Sequence, residues 1–317
     1  MTLDYISHET CLLHRAPSAH PECPERLQAI EQALANSPLE SRVKRIQAQP
    51  VEREALLRVH DAAYLDQVAA AIPAPGGWSI LDTGDTYLCE HSLEAARLAA
   101  GSMVMAVDRV MKAPGRRAFC AVRPPGHHAG RAFGMGFCLF NNVAVGAAHA
   151  LAAHGLSRVA IVDFDVHHGN GTEDIFRDEP RVLFCSSFQH PHYPGSGADT
   201  RSDHILNLPL HAGTDGQALR AAVEAHWLPA LEAFRPQLLL ISAGFDGHAD
   251  DPLANFRLRE VDYVWLTQMV VDLADQYAEG RVVSTLEGGY DLPALGRSAV
   301  AHLAVLAGYE PGADVGG

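Results

Sequence analysis

The stretch at residues 157–172, SRVAIVDFDVHHGNGT, decides the fold. Its apolar run at 159–162 is followed at once by acidic, histidine and glycine residues. Such a run is typical of a buried parallel strand, and open α/β sheets bind ligands beyond the carboxyl ends of their strands. Asp165 and His167 are two residues apart, so on an extended backbone their side chains leave the same face. A carboxylate and an imidazole placed in this way can bind a divalent metal ion.

Strand-like and helix-like patterns alternate along most of the chain. Short apolar runs occupy 118–122, 182–185, 238–241 and 282–286, and helical patterns occupy 25–36, 62–71, 91–111, 140–154, 215–234, 261–277 and 292–306. The alternation predicts an α/β fold, a mostly parallel, doubly wound sheet flanked by helices, in a single domain over 1–317. Two local expectations follow. Residues 1–24 read as irregular, and Pro229 should kink or interrupt the helix around it.

Composition narrows the classes of function. The 317 residues are 48% hydrophobic, which is enough for a large core, and the net charge of −14 argues against binding to nucleic acid or an anionic membrane. The six cysteines form no C-x-x-C motif, so we expect free thiols in a reducing cytoplasm. The N-terminus does not resemble a signal peptide, and no apolar run is long enough to predict a membrane span. Composition leaves the oligomeric state open.

Polar side chains follow four of the predicted strands, where parallel strands would bring them to one edge of the sheet. They are His127 and His128, then Asp163, Asp165 and His167, then Asp246, and finally Tyr290. Asp165, His167 and Asp246 would leave one coordination position open, as a catalytic zinc site requires. A histidine nearby can transfer protons, and a tyrosine can donate to a developing oxyanion. The set predicts metal-assisted amide hydrolysis.

Four motifs carry a family resemblance. RPPGHHA (123–129), VDFDVHHGNGT (162–172), SAGFD (242–246) and EGGY (287–290) resemble, in this order, the histone deacetylase superfamily, which includes bacterial deacetylase-like amidohydrolases and acetylpolyamine amidohydrolases. The resemblance implies an arginase-like α/β fold and a deacylase with one zinc ion per chain. Asn170 together with Glu287 is more similar to the class II branch than to class I.

The resemblance also implies a role for individual residues. Asp165, His167 and Asp246 would be the zinc ligands. His128, in contact with Asn170, would be the general base and acid. His127, held by Asp163, would act electrostatically, and Tyr290 would bind the oxyanion. On the substrate side, the implied residues are the tunnel walls Phe137 and Tyr193, the backbone contact Gly136, the rim residues Asp85 and Leu253, the product-channel residue Arg26, and Ser186 and Phe176 near potassium.

Several alternatives stay open from the sequence. The substrate is expected to be acetyl-lysine in a peptide or protein, because Leu253 brings no charge to the rim; an acetylpolyamine or another small acylamide is the alternative, since the acidic chain attracts polycations. More distant alternatives are a manganese ureohydrolase, which needs additional metal ligands, and a non-catalytic binding module. Iron(II) could replace zinc in a site of two carboxylates and one imidazole.

Overall fold

A computed structural model describes residues 2–82 and 84–309. In chain order its strands are β1 Leu3–Ser7, β2 Val43–Gln47, β3 Ser79–Ile80, β4 Tyr87–Leu88, β5 Arg117–Cys120, β6 Val159–Asp163, β7 Val182–Gln189, β8 Ile205–Leu210, β9 Leu238–Ala243 and β10 Val282–Leu286. Its α-helices are α1 Glu25–Ala35, α2 Arg53–Leu56, α3 Ala62–Ala70, α4 Ser92–Val110, α5 Asn142–Ala153, α6 Asn170–Phe176, α7 Gly216–Phe234, α8 Glu260–Tyr277 and α9 Leu292–Leu306. Short 3-10 helices occupy Glu9–Leu12 and Pro38–Arg42.

One eight-stranded sheet organises the molecule, in the order β2-β1-β5-β10-β9-β6-β7-β8. Every neighbouring pair in it is parallel, and β3 and β4 form a separate antiparallel ribbon. The predicted α/β class, with a mostly parallel sheet flanked by helices in one domain, is confirmed. Residues 310–317 lie outside the described part, so the predicted domain end at 317 stays a prediction.

The central strands are apolar because helices pack over the sheet. All five residues of β6, VAIVD, are buried, as are those of β10. Helices α4 and α5 pack on each other and against central strands, while α1, α8 and α9 form a second group that also contacts the sheet. A strand covered on both faces has no solvent side, which explains the continuous apolar runs in the sequence.

The expectation that residues 1–24 are irregular was wrong for β1. Leu3, Tyr5 and Ile6 are fully buried, and β1 pairs with β2 on one side and β5 on the other. Asp4 obscured the pattern, but its carboxylate accepts a hydrogen bond from Arg109 Nε at 2.8 Å. An ion pair with α4 therefore compensates for placing an acidic residue in an interior strand.

Pro229 does not interrupt its helix, contrary to the second local expectation. Helix α7 runs continuously from Gly216 to Phe234 with Pro229 inside it, and ends where Arg235 adopts a left-handed backbone with φ of 52°. A proline removes one backbone donor, but the packing of Val223, Trp227 and Leu231 into the core holds the helix together on both sides of it.

The structure bears on the expectations about the cysteines and about membrane spans. All six cysteines are free thiols and five of them are buried, which confirms the expectation of unpaired cysteines. Within the described residues, each helix is either too short or too polar to cross a bilayer.

His60 joins the loop that follows β5 to the residue that caps α5. Its Nδ1 donates to the carbonyl oxygen of Gly130 at 2.8 Å, and its Nε2 accepts from the backbone N–H of Asn141 at 3.0 Å. Asn141 in turn caps α5, accepting from Ala144 N at 3.0 Å. Burial lowers the pKa of His60 to about 4, so the ring is neutral in the folded protein.

We therefore expect His60 to reduce stability in mild acid. Its folded pKa of about 4 is lower than the ordinary value near 6.5, so below pH 6.5 the unfolded chain binds a proton that the folded chain does not. Between pH 7 and pH 5 this costs about 2 kcal/mol of unfolding free energy. Denaturant titrations at both pH values should show a smaller loss in His60→Gln than in wild type.

The matched control is His226→Gln, because His226 is exposed on α7. An unchanged pH dependence in His60→Gln would contradict the assignment of a buried neutral ring at this position.

Candidate active site

The site lies where five adjacent strands end. Strands β5, β10, β9, β6 and β7 are neighbours in the sheet, and Cys120, Thr285, Ser242 and Asp163 are register partners from one strand to the next. Because the strands are parallel and level, the loops that follow them leave the sheet at one edge. This is the edge at which open α/β sheets bind ligands.

The predicted metal ligands come together at this edge. Each of Asp165, His167 and Asp246 offers one ligand atom, and the three atoms lie within 4.8 Å of one another. His167 Nδ1 is 3.1 Å from Asp165 Oδ1 and 3.1 Å from Asp246 Oδ2. All three residues are buried.

The chemistry of this group fits a divalent cation. Two buried carboxylates beside one imidazole leave a surplus of negative charge, which a dry interior does not tolerate unpaired. Burial opposes a charge on His167, but Asp246 and Asp165 outweigh burial and raise the pKa of His167 to about 10, which shows how strongly this position favours a positive charge. Backbone at two glycines makes room for the carboxylates: a Cβ atom would lie 2.0 Å from Asp165 Oδ2 at Gly244, and 2.1 Å from Asp246 Oδ2 at Gly288.

His127 is held by an acidic partner. Its Nδ1 lies 2.9 Å from Asp163 Oδ2, and its Nε2 lies 3.9 Å from Asp165 Oδ1. Burial opposes the charging of this ring, but Asp163 and Asp165 outweigh burial and raise the pKa of His127 to about 10. His127 is therefore a fixed positive charge at the site.

His128 has the opposite environment. Its Nδ1 faces Asn170 Oδ1 at 2.7 Å, and Asn170 Nδ2 contacts Met135 Sδ at 3.4 Å. Since the amide oxygen accepts, the proton of the neutral ring is on Nδ1 and Nε2 keeps its lone pair. Burial, and then the positive charges of His127 and His167, lower the pKa of His128 well below its ordinary range.

Glu287 holds the backbone at the histidine pair in place. Its buried carboxylate accepts from the backbone N–H groups of Gly126 at 2.7 Å and His127 at 3.1 Å, and from Ser242 Oγ at 3.1 Å. Burial raises the pKa of Glu287 to about 7. The side chain joins the loop after β5 to the loop after β10, so the two loops hold a fixed distance.

Tyr290 is placed by two neighbours. The Arg26 guanidinium lies 4.8 Å from the centre of its ring, and its backbone N–H donates to Asp251 Oδ2 at 2.7 Å. Burial raises the pKa of Tyr290 well above its ordinary value; Arg26 opposes this, and Asp246 adds to it. The phenol is therefore a neutral donor.

Arg26 is fully buried and braces the loop that carries Tyr290. Its Nε donates to the carbonyl oxygen of Gly289 at 2.7 Å, and its Nη1 donates to Glu22 Oε1 at 3.2 Å. Glu22 also accepts from Arg123 Nη2 at 2.6 Å. Arg26 is thus a structural brace of the tyrosine loop, and the product channel implied for it stays a prediction.

The two predicted tunnel walls, Phe137 and Tyr193, contact Tyr290 and the histidine pair. Tyr193 meets His128 edge to face at 5.2 Å between ring centres, and Phe137 meets Tyr290 in the same way at 5.9 Å. Gly136 has a φ of +56°, and a Cβ atom there would lie 2.4 Å from the His128 ring. Only glycine allows the backbone to pass so close to the histidine in this conformation.

Each of the two predicted rim residues, Asp85 and Leu253, contacts a histidine through its backbone carbonyl. Asp85 is half-buried, and its carbonyl oxygen lies 3.2 Å from His20 Nε2. His20 packs edge to face on Phe137 at 4.7 Å. On the other side, the carbonyl oxygen of Leu253 accepts from His192 Nε2 at 2.9 Å, and the His192 ring stacks on His167 at 5.3 Å.

The sequence did not identify three residues that the structure places in or beside the site, namely His20, His192 and Asp251. His192 directly precedes Tyr193, and Asp251 lies five residues after Asp246, so their positions near known motifs were a signal. His20 has no such signal, because its contacts come from the loops at 85 and 137.

The two residues named for potassium contact different histidines in the structure. Ser186 lies within β7, where its Oγ is 3.0 Å from His168 Nδ1, while the carbonyl oxygen of Phe176 lies 3.1 Å from His204 Nε2. A potassium site stays a prediction.

Comparison with known proteins places these motifs in context. The sequence profile described as the histone deacetylase domain matches residues 20–306. The histone deacetylase-like amidohydrolase of Pseudomonas aeruginosa is 41% identical over 87% of this chain and 73% of its own length. An uncharacterised Synechocystis protein, slr0245, is 42% identical over 92% of this chain and 95% of its own length.

A solved structure agrees with the fold. The crystal structure of the HDA15 HD domain has a TM-score of 0.89 and 36% sequence identity, and the match covers 99% of this chain and 92% of that one. The type-2 histone deacetylase 2 of Dictyostelium discoideum is 36% identical over 95% of this chain, which spans only 20% of that protein.

The ligand geometry predicts one tightly held divalent metal ion per chain. Asp246→Asn should weaken its binding by more than about 100-fold, since loss of a ligand exceeds the 10–100-fold effect typical of residues behind the ligands. Elemental analysis after dialysis against a weak chelator measures the metal retained. Asp250→Asn is the matched control, because Asp250 is exposed and pairs with Arg259. Equal metal retention in both variants would contradict the assignment of Asp246 as a ligand.

Proposed function

Since the chain belongs to the histone deacetylase family, we propose that it is a zinc-dependent deacetylase that hydrolyses the acetyl amide of acetyl-lysine in a peptide or protein. One observation carries the proposal: a three-ligand group, a tandem histidine pair and aromatic side chains in contact with them meet at one sheet edge. Metal ligands alone would also suit a structural site, but the histidines and aromatic rings add proton transfer and access for a slender substrate.

Asp165, His167 and Asp246 would hold the zinc ion. When bound there, zinc supplies Lewis acidity to the amide carbonyl and to a water molecule. Three protein ligands leave coordination open to substrate and solvent, which distinguishes catalytic from structural sites.

In this proposal the two histidines have different roles. His128 accepts a proton from the attacking water on Nε2, since its Nδ1 proton is directed at Asn170. It later returns that proton to the leaving amine, a role that is typically worth about 10²–10⁴-fold in rate. His127 keeps its charge through Asp163 and stabilises the negative charge that forms on the substrate.

Tyr290 donates its phenol proton in a hydrogen bond to the carbonyl oxygen as negative charge develops there. Arg26 and Asp251 keep the tyrosine in place, the first through the carbonyl of Gly289 and the second through the N–H of Tyr290. Both act on the position of Tyr290 and neither needs to contact the substrate.

The substrate proposal rests on the approach to the site. Phe137 and Tyr193 suit an uncharged methylene chain, and the half-buried Asp85 can accept N–H groups of a peptide backbone at the rim. An acetylpolyamine is the second candidate, because Asp82 lies beside Asp85 and its charge adds to burial in raising the pKa of Asp85. Two carboxylates so close together also suit a distant ammonium group.

The non-catalytic alternative is disfavoured by the complete set of histidines and tyrosine. The ureohydrolase alternative is disfavoured because, within the described residues, the metal-ligand group at this edge has three members. Free thiols at all six cysteines support the cytoplasm as the compartment.

Tyr290→Phe tests the chemistry. Loss of one oxyanion donor should lower kcat by about 10²-fold or more, with metal content unchanged. Tyr193→Phe makes the same chemical change in the wall of the approach and should keep activity within a few-fold of wild type. Steady-state kinetics on an acetyl-lysine peptide compares the two variants. Equal turnover in wild type and Tyr290→Phe would remove Tyr290 from the mechanism.

A substrate panel tests the specificity. We expect a higher kcat/KM for acetyl-lysine peptides than for acetylspermidine or acetylputrescine, because the uncharged Leu253 does not attract a distant ammonium. Leu253→Glu should shift the ratio of kcat/KM toward the polyamines, and Leu253→Gln, which has a similar size and no charge, should not. A tenfold or greater preference of the wild type for a polyamine would overturn the acetyl-lysine proposal.

A further inference from the structure

A second cluster of metal-ligand side chains lies between α4 and α5. Asp108 belongs to α4, His149 to α5, and His154 caps the C-terminus of α5. Asp108 Oδ1 is 2.7 Å from His149 Nε2 and 2.8 Å from His154 Nε2. The two imidazole rings meet edge to face at 5.6 Å. We refer to these three residues as the α4–α5 cluster.

We propose that the α4–α5 cluster is a second binding site for a divalent transition-metal ion, separate from the active site. Its three ligand atoms lie within 4.8 Å of one another, the same limit that the active-site group meets. Two imidazoles with one carboxylate form a softer and less acidic set than the active-site ligands. Such a set suits zinc, cobalt, nickel or copper, and does not suit magnesium or calcium.

The position of the cluster separates it from the active site. Helix α5 begins at Asn142, directly after Asn141, whose side chain donates to the carbonyl oxygen of Ala129 beside the catalytic histidines. At 1.5 Å per residue, its length carries the chain about 18 Å away before His154. Strand β6 then starts at Val159, so the cluster lies near the edge where strands begin.

Small side-chain movements would complete the site. Tetrahedral zinc with bonds of about 2.0–2.1 Å keeps its ligand atoms about 3.3 Å apart, so the two N···O distances must lengthen by about half an ångström. The active-site ligands, at 3.1 Å, are nearly as close together. The side chains of Asp108 and His154 are 47% and 25% exposed, so these two can adjust toward the more buried His149.

The hydrogen bonds of His149 identify Arg58 as a residue that opposes metal binding. The Nε2 atoms of His149 and His154 both face one oxygen of Asp108, so without metal each imidazole carries its proton on Nε2. On the other side of the His149 ring, Arg58 Nη1 donates to Nδ1 at 3.2 Å. A metal bound at Nε2 moves that proton to Nδ1. Arg58 must then turn away, because two donors cannot face each other. Removal of Arg58 should therefore tighten binding.

Charge on Asp108 favours the site. Asp108 is the one anionic ligand of the cluster, its side chain is 47% exposed, and one of its oxygens already faces both imidazoles. The net charge of −14 adds a general attraction for cations.

Metal titration of the dialysed full-length protein tests the proposal. Calorimetry with Zn²⁺, and visible absorption with Co²⁺, should detect one equivalent per chain beyond the tightly retained metal. His154→Ala should weaken that equivalent at least about 10-fold, Arg58→Ala should strengthen it a few-fold, and His226→Ala, an exposed histidine on α7, should leave it unchanged.

Thermal unfolding gives a second readout. Added Zn²⁺ should raise the Tm of wild type by about 2 °C or more and should not raise that of the double variant His149→Ala/His154→Ala. If the cluster is only a hydrogen-bonded tie between two helices, the variants lose Tm without metal and zinc shifts none of them. That result would overturn the proposal, as would an extra equivalent that survives in the double variant.

Asp108→Asn covers the case in which the histidine variants fail to fold. It keeps the shape of the side chain and a hydrogen-bonding oxygen but removes the charge, so it should weaken the extra equivalent while leaving the circular dichroism spectrum unchanged. Undiminished binding in Asp108→Asn would overturn the assignment of the carboxylate as a ligand.

Discussion

Two carboxylates, Asp165 and Asp246, lie buried on either side of one imidazole, and most of the site depends on how their charge is balanced. Their charges repel in a region from which water is excluded, so each carboxylate needs a positive or hydrogen-bonding partner, and His167 Nδ1 lies 3.1 Å from both. Glycine backbone at 244 and 288 leaves the carboxylates the space to lie this close to one imidazole. The fixed charge on His127 and the neutral state of His128 follow from the same balance, because each ring responds to the charges beside it.

A buried ionic network extends this organisation to the N-terminal part of the chain. Glu22 lies between Arg26 and Arg123, which are both fully buried, and Arg123 also donates to the carbonyl oxygen of Cys11 at 2.9 Å. Through Arg26, the segment before α1 holds the backbone that carries Tyr290. Breaking one partner of such a network leaves an unpaired buried charge, so the N-terminal segment is part of the active-site architecture.

Most of the interior strands were predictable from sequence, because a strand covered on both faces is continuously apolar. The sequence analysis missed β1, where Asp4 interrupts the apolar run, and also β2 and β8, which lie at the two edges of the sheet. Edge strands are covered less completely and tolerate residues that break the pattern, as Lys44 and Arg45 do in β2 and Pro209 does in β8.

The metal and histidine motifs were evident because each is local in the sequence. The contacts of Asp251 with Tyr290 and of His20 with Phe137 were not, because each joins two loops that only the folded sheet brings together.

Thr86 joins Asp82, near the predicted rim residue Asp85, to Phe137, one of the two predicted tunnel walls. Its hydroxyl donates to Asp82 Oδ2 at 2.8 Å and accepts from the backbone N–H of Phe137 at 3.2 Å. Phe137 itself has a φ of 69°, a left-handed backbone that a bulky residue adopts only when its surroundings hold it. The loop between β3 and β4 therefore sets the position of the Phe137 backbone. Under the proposed function, a rim loop transplanted from a relative would also move this aromatic wall, so changes in partner choice and in acyl-chain choice would be linked.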